Sequence, residues 1–117
     1  MAFRRGDKVL VVDVWEDESG SIQRKDRPAI IYDVIGDDHY SILLYGKDRT
    51  GKIPGLKVDQ FSEEGQKLQL QKDSFLNLSK IIPLKRYAIV RLLRGNCSEK
   101  LFEMIEKVIE QEGIEKP

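Results

Sequence analysis

The sequence predicts a mainly β fold, a small antiparallel barrel with an amphipathic α-helix at its C-terminal end. Short apolar, β-branched runs separated by turn residues occupy the first three quarters of the chain. The last quarter instead has the spacing of an amphipathic helix. At 117 residues, the chain fits a single domain over residues 1–117 that is large enough for a hydrophobic core.

Three apolar runs near the N-terminus predict an antiparallel meander. The first two, Val9–Trp15 and Ala29–Ile35, are rich in β-branched residues and suit strands buried on much of both faces. Between them, the charged segment Glu16–Asp26 predicts a loop, either a mobile one that orders over a bound partner or an ordinary disordered hairpin loop. A turn at Gly36–Asp38 then leads into a third strand over Tyr40–Tyr45.

The middle of the chain predicts shorter elements. Gly46–Gly55 is a polar loop, for which a functional loop and a plain connector are equally compatible with the sequence. Val58–Gly65 suits a short helical turn, Leu68–Gln71 alternates as a strand does, and Ser74–Ile82 supplies at least one more strand. Tyr87–Leu93 predicts a last strand, with a helix as the alternative.

The C-terminal helix has start and stop signals of its own. Gly95 interrupts the preceding run, and Asn96 with Glu99 suggests a capping box. Gly113 predicts the end of the helix. Four apolar residues fall on one helical face: Leu101, Ile105, Val108 and Ile109.

Charge and composition narrow the class of protein. Twenty basic and twenty acidic residues give zero net charge, but residues 98–117 hold six acidic and three basic side chains, so residues 1–97 carry a basic surplus of three. A local basic patch is compatible with this balance, whereas a generic DNA-coating protein would be more basic. No apolar run approaches the roughly 20 residues of a membrane span. We therefore expect a cytoplasmic protein without membrane contact.

Few side chains suit metal or nucleophilic chemistry. His39 and Cys97 are the single histidine and cysteine, too few for a convincing metal site, so no metal or other cofactor is expected. A Ser–His–acid triad would have to run through His39, which sits in a turn. Cys97 precedes a helix, where an inert thiol is the first interpretation and a reactive thiolate the alternative.

Arg27 is the most informative single residue of the sequence. It lies where the charged segment meets the second strand, and Pro28 restricts it to an extended backbone conformation. Packing does not require an arginine at that point. A solvated arginine at the start of a strand and an arginine with a functional role both fit the pattern.

The motifs around Arg27 resemble a known family. The segments FRRGDKVLVVDV and KDRPAIIYDV, joined by a charged stretch, are similar to the opening of the MazF/PemK/Kid toxins of type II toxin–antitoxin systems. The later segment QKDSFLNLSKIIPLKRYAIVRLLRGNCSEKLFEMI is similar to the second half of that family. The resemblance covers nearly the whole chain. It implies an SH3-like or CcdB-like barrel that forms a homodimer and is neutralised by a cognate antitoxin.

The resemblance also implies an activity. These toxins cut single-stranded RNA, including mRNA, without a metal: the ribose 2′-hydroxyl attacks the adjacent phosphorus and leaves a cyclic phosphate. Arg27 matches the family's active-site arginine, and Asp73 or Ser74 falls near its second functional segment, where either could handle the proton or bind phosphate. The candidate substrate-binding residues are Arg24, Lys25, Tyr45, Lys47, Arg49 and Thr50.

The chain departs from the family at two positions. Tyr45-Gly46 stands where many members carry a threonine, and Gln71 stands where relatives carry an arginine before Asp73. Other interpretations therefore stay open. The chain could be a weak or inactive member that binds nucleic acid or protein, a CcdB-like poison of a topoisomerase, or an unrelated SH3-like interaction domain.

Overall fold

The chain forms one bent antiparallel sheet and packs its long helix against it. This architecture is seen in a computed structural model that describes residues 2–117. The predicted mainly β class with a C-terminal helix is confirmed. In chain order the elements are β1 (Asp7–Glu16), β2 (Ile22–Ile35), β3 (Asp38–Tyr45), β4 (Gly55–Val58), α1 (Glu63–Lys67), β5 (Ser74–Asn77), β6 (Ile82–Leu84), a 3₁₀ turn (Arg86–Ala88), β7 (Ile89–Asn96) and α2 (Glu99–Gln111).

The sheet is bent but not closed. Its strand order is β4-β5-β3-β2-β1-β7, and β6 pairs with β3 along the edge opposite β2. The predicted meander forms its centre, with Val9 opposite Ala29 and Ile30 opposite Ile42. Within residues 2–117 the end strands β4 and β7 do not pair with each other, so the barrel stays open at that seam.

Two apolar clusters lie on opposite faces of the sheet. Successive side chains of a strand point to opposite faces, so Ile30 enters the cluster under α2 while its neighbour Ile31 enters the other. This explains why the central strands are apolar on both faces. The second cluster, here called the small core, consists of Phe3, Val9, Val11, Ala29, Ile31, Leu43 and Ile89.

α2 covers the larger cluster as its sequence pattern predicts. Its buried residues are Leu101, Ile105 and Ile109. The predicted capping box is wrong, because Asn96 still belongs to β7 and Ser98 is the N-cap, accepting a hydrogen bond from the Leu101 amide at 3.1 Å. Gly113, at φ +62°, follows the last helical turn, as expected of a glycine that ends a helix.

The charged segment after β1 is a strand hairpin, so the prediction of a loop over residues 16–26 is wrong. β1 and β2 stay paired out to Glu16 and Ile22, and the turn spans residues 17–21. Asp17 closes that turn: its carboxylate accepts hydrogen bonds from Ser19, Gln23 and Ser21, which lower its pKa. The outer part of this hairpin, residues 12–26, is called the arm here. Its two strands are paired as far as the turn.

The predicted strand at Leu68–Gln71 is also wrong. Leu68 is the C-cap of α1 and is fully buried, and Gln69 takes a left-handed conformation with φ +51°. Lys8, almost buried, donates a hydrogen bond from Nζ to the Leu68 carbonyl at 2.9 Å, and burial lowers the pKa of this lysine. The alternating pattern thus reflects a buried helix end.

The remaining expectations are met in outline. A short helix forms close to Val58–Gly65 as α1, and Ser74–Ile82 supplies β5 and the start of β6. The predicted strand at Tyr87–Leu93 is present but shifted, because a 3₁₀ turn holds Tyr87 and β7 runs through Gly95 to Asn96. In the described residues, no helix has the length and apolarity to cross a membrane.

Gly95 provides a test of this packing. It has φ +105°, and a Cβ there would lie 2.2 Å from the Leu68 carbonyl oxygen. We expect Gly95→Ala to lower the free energy of unfolding by more than ~2 kcal/mol, because it adds a backbone overlap to conformational strain. Gly36→Ala is the control: it has φ +60° but open space around it, so strain alone should cost ~1 kcal/mol. Urea unfolding measures both, and equal losses would contradict the packing described here.

Candidate nucleic-acid interface

Arg27 lies in the middle of β2, not at its start. Its Cα pairs with that of Val11, so the expectation of an arginine at the beginning of a strand is wrong. Val11 belongs to the small core, and Asp13 and Trp15 follow it on the same face of β1. The paired arm therefore carries these polar and aromatic side chains just beyond the end of the small core.

The guanidinium of Arg27 is held on three sides. Its Nε donates a hydrogen bond to Asp13 Oδ2 at 2.8 Å, and the two side chains are only 21% and 17% exposed. The guanidinium carbon lies 4.8 Å from the centroid of the Tyr45 ring and 5.3 Å from that of Trp15. Both distances are within cation–π range. Nε is bonded to Asp13, and two aromatic rings lie close by. Among the described residues no hydrogen-bond partner is found for the Nη groups, so the Nη edge is the part that can bind a ligand.

An open, basic groove of about 840 Å³ surrounds this arginine. In the part of the chain that the structure describes, one carboxylate, Asp13, lines it against six cations. Five of these cations form no salt bridge with any described residue, so their charge is available to an anion. The six cations are Lys25, Arg27, Lys47, Arg49, Lys72 and Lys80.

Gly46 makes room for one of these cations. A Cβ at this position would lie 2.6 Å from Nζ of Lys72, so the end of the lysine side chain occupies the space beside Gly46. Lys72 and Gly46 both line the groove, so this lysine adds a second cation near Arg27.

Tyr45 contacts Arg27 and Arg49 through its ring and Asn77 through its hydroxyl. Its ring packs against the small core and contacts two guanidinium groups, since its centroid lies 4.8 Å from the Arg27 carbon and 6.0 Å from the Arg49 carbon. Its hydroxyl accepts a hydrogen bond from Nδ2 of Asn77 at 3.1 Å. Asn77 is itself tied to Ser79, whose amide and hydroxyl donate to Oδ1 at 3.0 and 2.5 Å.

Four of the predicted substrate-binding residues meet at Arg27: Lys25, Tyr45, Lys47 and Arg49 all line the groove. The other two do not. Arg24 alternates with Lys25 along β2 and so projects from the opposite face of the arm. Thr50 lies in the exposed loop, where its amide and hydroxyl donate hydrogen bonds to Asp48.

The predicted catalytic pair Asp73 and Ser74 lies outside the Arg27 groove. These residues line a separate cavity of about 210 Å³ together with Asp48 and Lys57. Asp73 Oδ1 accepts a hydrogen bond from the Gln60 amide at 3.0 Å, and Ser74, 8% exposed, donates to the Lys72 carbonyl at 3.2 Å. Both side chains thus fasten local backbone, and the structure does not bring them to Arg27.

Sequence reasoning missed the partners of Arg27. Asp13, Trp15, Asn77 and the two lysines Lys72 and Lys80 line the groove but were not among the predicted site residues. Asp13 had a signal in the sequence: it is a carboxylate inside an otherwise apolar strand, where an unpaired charge is costly. Such a residue indicates a partner across the sheet, which here is Arg27.

The single histidine and cysteine have structural surroundings. His39 is buried, with Nδ1 near the carbonyl oxygens of Asp37 and Leu84 at 3.1 and 3.2 Å. Burial raises the pKa of the Cys97 thiol to about 12, which does not favour the alternative of a reactive thiolate. Among residues 2–117, no group of three or more His, Cys, Asp and Glu side chains could hold a metal ion.

Comparisons with known proteins give no match: no family model fits the chain, and no curated protein matches it. The geometry and chemistry of the Arg27 groove are therefore the main basis for assigning a function.

The reactivity of the buried thiol tests whether Cys97 could act as a nucleophile outside the groove. We expect Cys97 of the native protein at pH 8 to react with a thiol reagent roughly 100-fold or more slowly than in urea, because burial suppresses the thiolate. Absorbance of the released thiolate measures both rates. Rapid reaction of the native protein would return Cys97 to consideration as a nucleophile.

Proposed function

We propose that this protein is a metal-independent endoribonuclease that binds single-stranded RNA in the Arg27 groove, and that it is the toxin of a cytoplasmic toxin–antitoxin module. One observation carries the proposal. A guanidinium is fixed by Asp13 and by the rings of Trp15 and Tyr45, with its Nη edge left for a ligand, in a groove with five further cations. The family resemblance adds the reaction class.

The groove has what binding of a single strand requires. Arg27 can take a phosphate in a bidentate manner through its Nη edge, since planar guanidinium groups match the geometry of phosphate oxygens. The other cations can follow the neighbouring phosphates of the backbone. Trp15, 38% exposed, offers a ring on which an unpaired base can stack. In a duplex the bases are already stacked, so a single strand suits the groove better.

The proposed cleavage step uses the RNA's own nucleophile. The 2′-oxygen attacks the adjacent phosphorus, the bond from phosphorus to the 5′-oxygen breaks, and the products are a 2′,3′-cyclic phosphate and a 5′-hydroxyl end. Asp13 is the carboxylate of the groove, and its Oδ1, the oxygen not held by Arg27, accepts the proton of the 2′-hydroxyl. Water protonates the leaving oxygen, and the hydroxide ion formed takes the proton from Asp13, which restores the carboxylate. Arg27 stabilises the charge that gathers on the non-bridging oxygens, worth roughly 3–4 kcal/mol by analogy with one oxyanion-hole donor.

A second candidate function is a module that binds RNA in the same groove without cutting it. It is favoured by the position of Asp73 and Ser74 in a different cavity, since the resemblance implies a role for this segment in catalysis. The two candidates predict the same binding and differ only in the fate of the RNA. An assay that follows binding and cleavage in the same sample separates them.

The proposal includes two protein partners, a second copy of the chain and a cognate antitoxin. The apolar face of α2 is buried in the core and so does not supply the dimer surface. Support comes instead from the edge strand β7 and the 3₁₀ turn before it, where Val90 and Leu92 of β7 are 49% and 42% exposed and Tyr87 of the turn is 88% exposed. An exposed edge of this kind suits pairing with the same edge of a second copy in a two-fold homodimer.

Replacement of Arg27 tests the assignment. We expect Arg27→Ala to lower the rate of RNA cleavage by roughly 100-fold or more, because it removes the preorganised charge at the phosphate. It should also lower stability by ~1–2 kcal/mol, since Asp13 loses its partner. Cleavage of a labelled oligonucleotide and thermal unfolding measure the two effects.

The control for that variant is Arg24→Ala, which removes an exposed arginine of β2 that projects from the face opposite the groove. It should cleave as the wild type does and unfold within ~0.5 kcal/mol of it. An Arg27→Ala protein that still cuts RNA at the wild-type rate would eliminate the assignment of the groove.

The dependence on the 2′-hydroxyl and on metal ions gives a second test. Groove cations neutralise the phosphate in this mechanism, so EDTA should leave the cleavage rate unchanged, while a single 2′-deoxy substitution at the cut site should abolish cleavage. Mass spectrometry should find the 2′,3′-cyclic phosphate end. Loss of activity in EDTA with recovery in Mg²⁺, or cutting of the deoxy substrate, would point to a different mechanism.

A further inference from the structure

We propose that Asn77 is a positioning residue that makes the Tyr45 hydroxyl a hydrogen-bond donor towards the RNA phosphate held by Arg27. This inference rests on the RNA-binding groove proposed above and extends it to a second group that contacts the phosphate. Asn77 was not predicted as a site residue and lies at the end of β5. What it supplies is the direction of one hydrogen bond.

The direction follows from a backbone amide. The N–H of Ser79 can only donate, so the atom of Asn77 that it contacts at 3.0 Å is the amide oxygen Oδ1. The other end of the side chain, which faces Tyr45 at 3.1 Å, is therefore the NH₂ group. This group can only donate, so the Tyr45 oxygen must accept. The phenol's own proton is left to point elsewhere.

The Tyr45 hydroxyl proton is directed into the groove, where a bound phosphate can accept it. The Tyr45 ring lies 4.8 Å from the guanidinium carbon of Arg27, and both side chains line the same groove. A phosphate bound at the Nη edge of Arg27 brings acceptor oxygens to this wall of the groove, where the surrounding side chains are mostly cations that offer no acceptor. A neutral phenol is a poor base at neutral pH but a good donor. Tyr45 thus adds a directed hydrogen bond to the charge of Arg27.

Tyr45→Phe isolates the hydroxyl. The ring, its packing and its contact with Arg27 are retained, and only the donor is removed. The probe is an RNA oligonucleotide with 2′-deoxy substitutions, which binds without being cut. We expect Tyr45→Phe to weaken its binding by roughly 10-fold, in line with a hydrogen bond to a charged group. Wild-type affinity in this variant would overturn the inference.

Asn77→Asp tests the role of position 77. The aspartate keeps an acceptor for Ser79 but presents a second carboxylate oxygen to Tyr45, which would take the phenol's proton away from the groove. Its negative charge would also repel RNA, with or without the hydroxyl. The two effects are separated by making Asn77→Asp in the wild type and in Tyr45→Phe. We expect the substitution to weaken binding by several-fold more in the wild-type background, and equal effects in both backgrounds would overturn the role of Asn77.

The same samples distinguish failure of this inference from failure of the proposed function. If the wild type binds the oligonucleotide and cuts its all-ribose form while Tyr45→Phe matches it, the hydroxyl contact is wrong and the ribonuclease stands. If the wild type binds but does not cut, the ribonuclease is wrong, and the affinities of the variants still decide the hydroxyl contact. Absence of wild-type binding would overturn both.

Discussion

The ion pair between Asp13 and Arg27 is the contact on which the groove depends. It joins neighbouring strands at the point where the small core ends, and it holds a largely buried cation by one edge. A buried guanidinium without this partner would be costly, and a free one would sample many orientations. The carboxylate therefore does two things: it permits the burial of Arg27, and by bonding Nε it leaves the Nη edge for a ligand. Tyr45 and Trp15 add cation–π contacts that constrain the group further.

This arrangement depends on how the sheet is built. The long β1–β2 arm continues beyond the core, so one of its faces changes from apolar packing at Val11 to polar chemistry at Asp13 without a break in strand pairing. The site therefore stands on regular strands, which hold side chains more rigidly than a loop does. The opposite wall comes from the end of β5 and the residues after it, where Asn77 and Ser79 orient Tyr45. A chain of zero net charge thus concentrates cations in one groove.

The fold was largely predictable from the sequence because its strongest signals are local. Val9–Trp15 and Ala29–Ile35 lie within β1 and β2, and the 3.6-residue pattern marks α2. The outer hairpin was missed because charged residues on both sides of Ser19-Gly20-Ser21 suit a loop as well as a solvent-exposed pair of strands. Arg27 and four of its neighbours were identified, but Asp13 and Asn77 were not. Their roles depend on cross-strand register and on contacts over 14 and 32 residues, which no local pattern contains.

The central claim is that the held guanidinium of Arg27 meets the phosphate through its Nη edge. NMR of the arginine side-chain N–H groups, with and without an uncleavable oligonucleotide, tests this most directly. The structure predicts that the Arg27 Nη signals shift and sharpen on binding, while its Nε–H signal stays where the hydrogen bond to Asp13 places it in the free protein. A bound oligonucleotide that leaves the Nη signals of Arg27 unchanged, with shifts confined to residues outside the groove, would contradict the account.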